Sequence, residues 1–327
     1  MRAIVQRHTG NPDVLKLGEI PSPVPSPTQV LVDVKATALN RADTLQRRGF
    51  YPPPEGESKT LGLELAGVVT QVGDQVEGVA VRDRIFGLIG SGGYAEQAVI
   101  DYRLAMPIPE GWTFEQAAAV TEVFFTANET LFTRGQLTDG ETVLIHAGGS
   151  GVGSAGIQLA HQASATVLVT AGSEQKIERT KTLGATAGIN YKTHDFAEQI
   201  RQLTDNQGVD IVQDFIGADY LSRNLEILKF KGRLIVVGLL SGAKAEIDLG
   251  LILRERLQIL GFVMRRLPVE EKARIRNRFV ERWFDHLVSG QIQPIIDTVF
   301  PLEAAGEAHK YMEANQNFGK IILQVSE

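Results

Sequence analysis

The stretch from Thr142 to Leu159, TVLIHAGGSGVGSAGIQL, has residue types and a spacing that suit a nucleotide pyrophosphate. An apolar, β-branched run leads directly into glycines, and Gly148, Ser150 and Gly153 take the three positions of a strand–turn–helix fingerprint. A helix start presents unpaired backbone N–H groups and the positive end of its dipole, so a diphosphate binds there when no side chain blocks it. A second frame, ending at Gly156, would put that glycine inside the helix. The motif alone is equally compatible with a glycine-rich turn that binds nothing.

The end of the next predicted strand, residues 166–171, indicates which dinucleotide fits. An NAD enzyme usually has an acid there that binds the ribose 2′-hydroxyl, but Gly172 and Ser173 follow this strand without a carboxylate. Lys176 stands in the first turn of the next helix, where its ammonium could reach a 2′-phosphate beside the Ser173 hydroxyl. Glu174 opposes that attraction, although an acid also suits a helix start. The pattern predicts NADPH, with a solvated lysine as the alternative interpretation of Lys176.

Composition excludes several kinds of chemistry. The chain has no cysteine, so disulfides, thiolate catalysis and Cys-ligated zinc are ruled out. Its histidines show no ligand spacing, and a structural role is the better interpretation for each of them: His8, His146, His161, His194, His286 and His309. With 33 basic and 39 acidic residues, the formal charge of −6 argues against nucleic acid or a membrane as the main partner. The N-terminus has no apolar leader, so we expect a cytoplasmic protein.

The glycine motif belongs to an alternation of strands and helices. Apolar runs predict six strands, at 142–146, 166–171, 187–190, 209–215, 234–237 and 257–264. Amphipathic patterns predict helices between them, after the glycines and at 174–183, 195–204 and 219–229. Strands that alternate with helices in this way predict a doubly wound parallel sheet.

The first 110 residues or so predict a β-rich domain. Short strands are expected at 3–6, 30–35, 67–72, 84–88 and 94–100, with no helix of comparable clarity among them. Thr113 and Gln116 form a capping box before a helix at 114–120, and a second helix is expected at 123–132. Near the C-terminus, Pro268 opens a long amphipathic helix. Strands at 295–300 and 320–325 then flank a helix at 303–313, so the C-terminus is expected to complete the first domain.

Four motifs, taken in order, carry a family resemblance: ALNRAD at 38–43, RRGFYPPP at 47–54, LIHAGGSGVG at 144–153 and AHKYMEAN at 308–315. The chain resembles the quinone oxidoreductase branch of the medium-chain dehydrogenase/reductase superfamily. Within that branch it is most similar to the tumour-suppressor-inducible NADPH quinone oxidoreductases, relatives of zeta-crystallin. The resemblance covers essentially the whole chain. It implies an α/β fold with a GroES-like β-rich catalytic domain, formed by residues 1–121 and 265–327, and a doubly wound Rossmann dinucleotide-binding domain at 122–264.

The same superfamily contains zinc-dependent alcohol dehydrogenases, with a catalytic cysteine and a Gly-His-Glu motif in the first domain. Asn40 and Gly62-Leu63-Glu64 stand at the corresponding positions of this chain. Neither Asn40 nor Leu63 supplies the required ligand, and no cysteines are present for a structural zinc lobe. The sequence therefore predicts that both metals are absent.

The resemblance also implies roles for individual residues. Asn40 and Tyr51 would line the cleft between the domains as catalytic residues, where an amide N–H and a phenol O–H could bind substrate oxygen or hold the nicotinamide. A hydrogen-bond donor is a safer role for Tyr51 than a general base. The alternatives are structural roles: Asn40 as a turn-forming amide and Tyr51 as an aromatic side chain packed in a loop. The expected cofactor contacts are Gly148, Gly149, Ser150, Gly151, Val152, Gly172, Ser173, Lys176, Tyr191, Gly238 and Asn317.

These expectations combine into a reaction. Without a metal to polarise a carbonyl, the substrate must be easily reduced, and quinones meet that need. We therefore predict a zinc-independent NADPH-dependent quinone oxidoreductase that transfers hydride or single electrons, and a homodimer paired along the last Rossmann strand. An NADPH-dependent enone reductase is an alternative, because both reactions put negative charge on a substrate oxygen and require the same kind of site. A non-catalytic NADPH-binding interaction or redox-sensing protein is the third interpretation.

Overall fold

The computed structural model describes residues 1–326, and they divide into two compact units. The first unit contains Met1–Phe125 and the segment from Arg265 onward, and the second is Thr126–Met264. No helix among the described residues has both the length and the apolar character needed to cross a membrane.

The first unit is built around a seven-stranded sheet. Its N-terminal part supplies β1 (Arg2–Val5), β2 (Lys16–Glu19), β3 (Gln29–Ala38), β4 (Glu64–Val72), β5 (Arg84–Leu88), β6 (Gln97–Asp101) and β7 (Ala105–Pro107). Helices α1 (Arg41–Arg47) and α2 (Phe114–Ala118) belong to the same part of the chain. Helix α3 (Thr121–Asn128) begins in this unit and ends in the second, where a π-helical turn, Glu129–Arg134, follows it. β1 and β2 form a separate antiparallel pair. The capping box predicted ahead of α2 is present, with reciprocal bonds between Thr113 and Gln116 of 3.2 and 2.9 Å.

Helix α1 corrects the expectation that the N-terminal region contains no clear helix. It escapes a search for apolar periodicity because its buried face is polar: Asp43, Thr44, Gln46 and Arg47 point inward. Strands β2 and β7 were not predicted either, because β2 is mostly exposed and lacks a buried apolar pattern, and β7 has only three residues. Helix α1 is therefore packed through polar and charged side chains rather than through an apolar stripe.

The second unit is a six-stranded parallel sheet. Its strands are β8 (Thr142–Ile145), β9 (Thr166–Ala171), β10 (Ala187–Asn190), β11 (Val209–Asp214), β12 (Leu228–Val236) and β13 (Gln258–Gly261), and its helices are α4 (Gly151–Gln162), α5 (Glu174–Thr182), α6 (Phe196–Leu203), α7 (Leu221–Glu226) and α8 (Leu249–Glu255). The order β10-β9-β8-β11-β12-β13 is that of a doubly wound dinucleotide fold. Its direction reverses between β8 and β11, where such sheets bind ligands beyond the carboxyl ends of the strands.

Several elements of the second unit differ from the expectation: α8 was not predicted, the last strand is shorter than 257–264, and the junction between α7 and β12 is shifted. The helix predicted to reach residue 229 ends at Glu226, and β12 begins at Leu228 rather than at 234. The extra strand residues include Phe230 and Lys231, which are both exposed, so they lack the buried apolar pattern that marks the rest of the strand. Lys231 also takes a left-handed conformation, with φ at 64°, which interrupts the regular strand.

The C-terminal segment, from Arg265 onward, belongs to the first unit. It contains α9 (Val269–Val288), β14 (Ile296–Pro301), α10 (Ala305–Glu313) and β15 (Lys320–Gln324). The predicted stripe on α9, namely Ile275, Phe279, Trp283 and Leu287, is buried. β15 pairs with β3 and with β14, which completes the sheet in the order β14-β15-β3-β4-β5-β7, with β6 also paired to β3.

Candidate active-site cluster and nucleotide loop

Asn40 is the N-cap of α1 and follows the end of β3. Its backbone N–H donates to Asp43 Oδ2 at 2.7 Å, which ties the residue before the helix to the first turn. Its side-chain nitrogen donates to Glu64 Oε1 at 2.9 Å, and its side-chain oxygen accepts from Lys320 Nζ at 2.7 Å. Both ends of the Asn40 amide therefore already have protein partners, so the side chain is held in one orientation.

A buried ion pair between Glu64 and Lys320 forms the centre of this cluster. The two side chains are 0% and 2% exposed, and Lys320 Nζ lies 2.9 Å from Glu64 Oε1. The same ammonium donates to the Leu39 carbonyl at 2.8 Å. The other Glu64 oxygen accepts from Thr121 Oγ1 at 3.0 Å and from the Glu122 N–H at 2.9 Å. A buried pair is stable only with such additional hydrogen bonds, and both ions have them.

This arrangement does not fit a catalytic zinc. Asn40 and Leu63 stand where a thiolate and an imidazole would be needed, and Leu63 is buried. The oxygens of Asn40, Glu64 and Leu39 already surround a cation, the ammonium of Lys320. Among residues 1–326, no group of three or more His, Asp or Glu side chains is placed to hold a metal.

Asp43, in the first turn of α1, is a charged residue whose burial the motif does not indicate. The side chain is fully buried, and it accepts the N–H groups of Asn40 and Gly62 at 2.7 and 3.1 Å. Burial raises the pKa of Asp43 to about 6 despite those bonds. The Tyr94 hydroxyl lies 3.4 Å from Asp43 and 3.2 Å from His309 Nε2, so a polar network continues behind the cluster. His309 is thus a satisfied structural histidine, as predicted.

Tyr51 follows α1 and is partly buried. The guanidinium carbon of Arg265 lies 5.2 Å from the centroid of its ring. Its hydroxyl has no hydrogen-bond partner within the described chain, whereas its carbonyl accepts from Arg265 Nη1 at 3.0 Å. Burial, together with the charge of Glu122, raises the pKa of Tyr51 above its usual value near 10, so the phenol keeps its proton at neutral pH. The side chain therefore offers an uncommitted O–H donor.

Glu122, in the first turn of α3, was not recognised from the sequence. Its carboxyl is partly buried and accepts no hydrogen bond from residues 1–326, although its backbone N–H is bonded to Glu64. Burial, followed by repulsion from the Glu64 carboxylate, raises the pKa of Glu122 to about 8. The Glu122 carboxyl is therefore mostly protonated at neutral pH, and its charge acts on Tyr51 once it ionises at higher pH.

The glycine loop of the second unit follows the preferred frame. Helix α4 begins at Gly151 with Ser150 as its N-cap, and Ser150 Oγ accepts the Gly153 N–H at 3.0 Å. A Cβ at Gly153 would lie 2.4 Å from the Ala147 carbonyl oxygen, so only glycine allows the helix to approach the turn this closely. Gly156 lies inside the helix, as the alternative frame required. The loop thus leaves the N-terminus of a 12-residue helix free of bulky side chains.

The ends of β9 and β10 meet beside this loop. Ser173 caps α5 by accepting the Lys176 N–H at 3.3 Å. A Cβ at Gly172 would lie 2.8 Å from the Tyr191 hydroxyl and 3.4 Å from Lys192 Cε, so the close approach of Tyr191 requires glycine. Lys192 is therefore a second lysine, besides Lys176, near the ends of β9 and β10. The sequence did not indicate it, because its position just after β10 is its only distinguishing feature. Glu174 is exposed, and its carboxylate accepts a hydrogen bond from Asn190 Nδ2 at 2.9 Å.

The remaining predicted cofactor residues fall into both units. Gly149 lies in the loop between β8 and α4, and Gly151 and Val152 are the first two residues of α4. Gly238 follows β12, and its N–H donates to the Asp214 carbonyl at 3.2 Å. Asn317 lies apart in the first unit, where its amide donates to the Gly319 carbonyl at 2.8 Å.

His146, at the end of β8, is buried between polar groups. Its Nδ1 lies 3.0 Å from Thr170 Oγ1 and its Nε2 lies 2.8 Å from Asn224 Oδ1. Burial lowers its pKa to about 4, so it is a neutral structural histidine beneath the loop. His286 differs from that expectation because its buried Nδ1 has no partner among the described residues.

Comparison with known proteins places this architecture in a class. The model of the alcohol dehydrogenase GroES-like domain matches residues 26–110, and the model of the zinc-binding dehydrogenases matches residues 151–281. Quinone oxidoreductase of Rattus norvegicus is 33% identical over 329 residues, which cover 99% of this chain and 97% of that protein. The chain belongs to the medium-chain dehydrogenase/reductase superfamily.

Two solved structures illustrate the likeness. A structure described as an NAD-dependent alcohol dehydrogenase has a TM-score of 0.88 and 34% identity, with 100% of both chains covered. Escherichia coli quinone oxidoreductase complexed with NADPH has a TM-score of 0.89 and 29% identity, covering 99% of this chain and 100% of that one. The chain also matches, with 31% identity, a segment of a phenolphthiocerol/phthiocerol polyketide synthase protein of Mycobacterium tuberculosis, and it spans 14% of that protein's length.

Proposed function

We propose that the chain is a zinc-independent, NADPH-dependent quinone oxidoreductase. The observation that carries the proposal is the contrast between Lys320 and Tyr51. The oxygens of Asn40 and Glu64 hold the Lys320 ammonium where a metal would be needed, while the Tyr51 hydroxyl has no partner in the described chain. The group available to stabilise negative charge on the substrate oxygen is thus a neutral phenol, which suits a substrate that is already easily reduced.

The glycine turn before α4 and the residues that follow β9 and β10 support NADPH as the cofactor of the second unit. The loop from Gly148 to Val152 would hold the pyrophosphate at the N-terminus of α4, and Ser173, Lys176 and Tyr191 would receive the 2′-phosphate. Gly238 and Asn317 are retained as further proposed contacts. When bound, NADPH would supply the reducing hydride or electrons.

The first unit would act on the substrate oxygen. Tyr51 would donate its O–H to the oxygen on which negative charge develops, and its raised pKa keeps that proton in place before reaction. Asn40 would act as a wall residue whose amide is oriented by Glu64 and Lys320. Placement near the tumour-suppressor-inducible branch is part of the proposal, and the motifs around Asn40 and Tyr51 support it.

The test is NADPH oxidation against ortho-quinones, para-quinones and enones, with wild type and Tyr51→Phe. One hydrogen bond to a developing charge is worth about 1.5–3 kcal/mol, so Tyr51→Phe should lower turnover about 10- to 150-fold and leave NADPH affinity unchanged. Tyr102→Phe, at a partly buried tyrosine in a 3₁₀ turn, is the matched control.

The panel separates the alternatives. Turnover of enones but not quinones would replace the proposal with a C=C reductase. NADPH binding without turnover of any substrate would favour the interaction or redox-sensing protein. Unchanged quinone turnover in Tyr51→Phe would remove Tyr51 from the mechanism.

A further inference from the structure

Arg265 lies in the turn between β13 and α9, and its side chain is 6% exposed. Its guanidinium donates four hydrogen bonds to neutral oxygens. Nε binds the Gly90 carbonyl at 2.9 Å, Nη1 binds the Tyr51 carbonyl at 3.0 Å, and Nη2 binds Gln46 Oε1 at 2.6 Å and Ser91 Oγ at 3.3 Å. One side chain thus joins the end of α1, the backbone at Tyr51 and the loop after β5.

The charge of Arg265 is unusual in this position. Within residues 1–326, no carboxylate forms an ion pair with it. Burial of a cation without a paired anion is costly, and neutral donors could hold the same carbonyl and hydroxyl oxygens at lower cost. The positive charge instead lies over an aromatic face, with Cζ 5.2 Å from the Tyr51 ring centroid, within the range of a cation–π contact.

We propose that Arg265 is the positioning residue for Tyr51: it fixes the main chain there and places a positive charge on the ring face, so that the phenol keeps one orientation and donates more strongly. This inference rests on the proposed function, in which Tyr51 donates to substrate oxygen. Burial and the Glu122 carboxylate raise the pKa of Tyr51, whereas the Arg265 charge lowers it, so the cation moves the phenol towards stronger donation.

A double-mutant cycle on turnover tests the inference. Arg265→Met removes both the fork and the charge, and Arg265→Lys keeps the charge but loses the planar geometry. We expect Arg265→Met to lower kcat with a quinone about tenfold in the wild-type background, and less than about twofold when Tyr51→Phe is already present. Arg265→Lys should give an intermediate loss. The KM for NADPH should not change in any of these variants.

Arg266 provides the matched control. It is exposed and its charge also lowers the pKa of Tyr51, but it makes none of the hydrogen bonds of Arg265. Arg266→Met should therefore leave kcat within about twofold of wild type. Should neither Arg265 variant fold, Gln46→Leu carries the same cycle, because it removes an acceptor of the guanidinium without touching Tyr51.

The outcomes separate this inference from the proposed function. A loss that vanishes in the Tyr51→Phe background supports it. Equal losses in both backgrounds would show that Arg265 acts independently of Tyr51 and would overturn the inference alone. Unchanged turnover in Tyr51→Phe would overturn both the donor role of Tyr51 and this inference.

Discussion

Removal of the buried ammonium is the most direct probe of the polar cluster around Glu64 and Lys320. Lys320→Met keeps the length and most of the volume of the side chain but leaves the Glu64 carboxylate without its cation. It also leaves Asn40 Oδ1 and the Leu39 carbonyl without the donor that now lies 2.7 and 2.8 Å away. Removing one partner of a buried pair costs about 3–5 kcal/mol.

An exposed lysine in the same unit supplies the control. Lys310 lies 2.9 Å from Asp13 and 3.2 Å from Glu307, but it is 46% exposed, so water replaces its contacts. Lys310→Met should cost no more than about 1 kcal/mol. The two substitutions are chemically identical, so the difference between them measures burial.

The chain also provides the probe. Its two tryptophans, Trp112 and Trp283, both lie in the first unit, so their fluorescence during urea unfolding reports the unit that contains Lys320. With a slope of about 2 kcal/mol per molar urea, Lys320→Met should lower the midpoint by about 1.5–2.5 M. Adding Glu64→Gln should recover part of the loss, because it removes the unpaired charge. Equal midpoints for Lys320→Met and Lys310→Met would refute the argument.

Four further outcomes follow from the same structure. Activity should survive chelators and the purified protein should lack stoichiometric zinc; about one zinc per chain by metal analysis would contradict this. Lys176→Ala should raise the KM for NADPH about tenfold and leave that for NADH nearly unchanged, with Lys181→Ala, in the last turn of α5, as control; equal losses for both cofactors would count against the 2′-phosphate site. Light scattering should give a dimer mass, and Val263→Lys, at a 50% exposed residue just beyond the edge strand β13, should shift it towards monomer; a wild-type monomer at micromolar concentration would dispose of the pairing. Because the pKa of Glu122 is raised to about 8, the protonated carboxyl stabilises the fold at low pH, and this stability is lost as pH rises through that value. Between about pH 5 and 8, the wild type should lose up to about 1.4 kcal/mol of stability per pH unit relative to Glu122→Gln. Parallel stability profiles of the two proteins would show that Glu122 is not the titrating group.

The parallel sheet was predictable because its signals are local. Strands such as β8 and β9 are buried on both faces, so they appear as continuous apolar runs. Glycine spacing and the Ser150 and Ser173 caps then mark where the helices begin. β12 was placed too late because the residues before Leu234 lack that apolar continuity.

The cluster around Glu64 could not be assembled from the sequence for the opposite reason. Its central ion pair joins residues 256 positions apart, and no local pattern marks either member. Asp43 and Arg265 look like ordinary surface charges until the fold buries them. Resemblance pointed to Asn40 and Tyr51, but it did not indicate which side chains hold them.

The electrostatics of the cluster explain why positioning and donation are assigned to different residues. The Lys320 ammonium donates its three N–H groups to Glu64 and to two neutral oxygens, so it stabilises the fold and has no N–H left for a substrate. The charge of Arg265 has no paired anion, and we propose that it acts on the Tyr51 phenol through the face of the ring. A cation acting through a phenol stabilises a developing oxyanion less than a directly bound metal would. Under the proposed function, the remaining activation would come from the substrate itself, and an electron-poor carbonyl compound such as a quinone would supply more of it than a simple ketone.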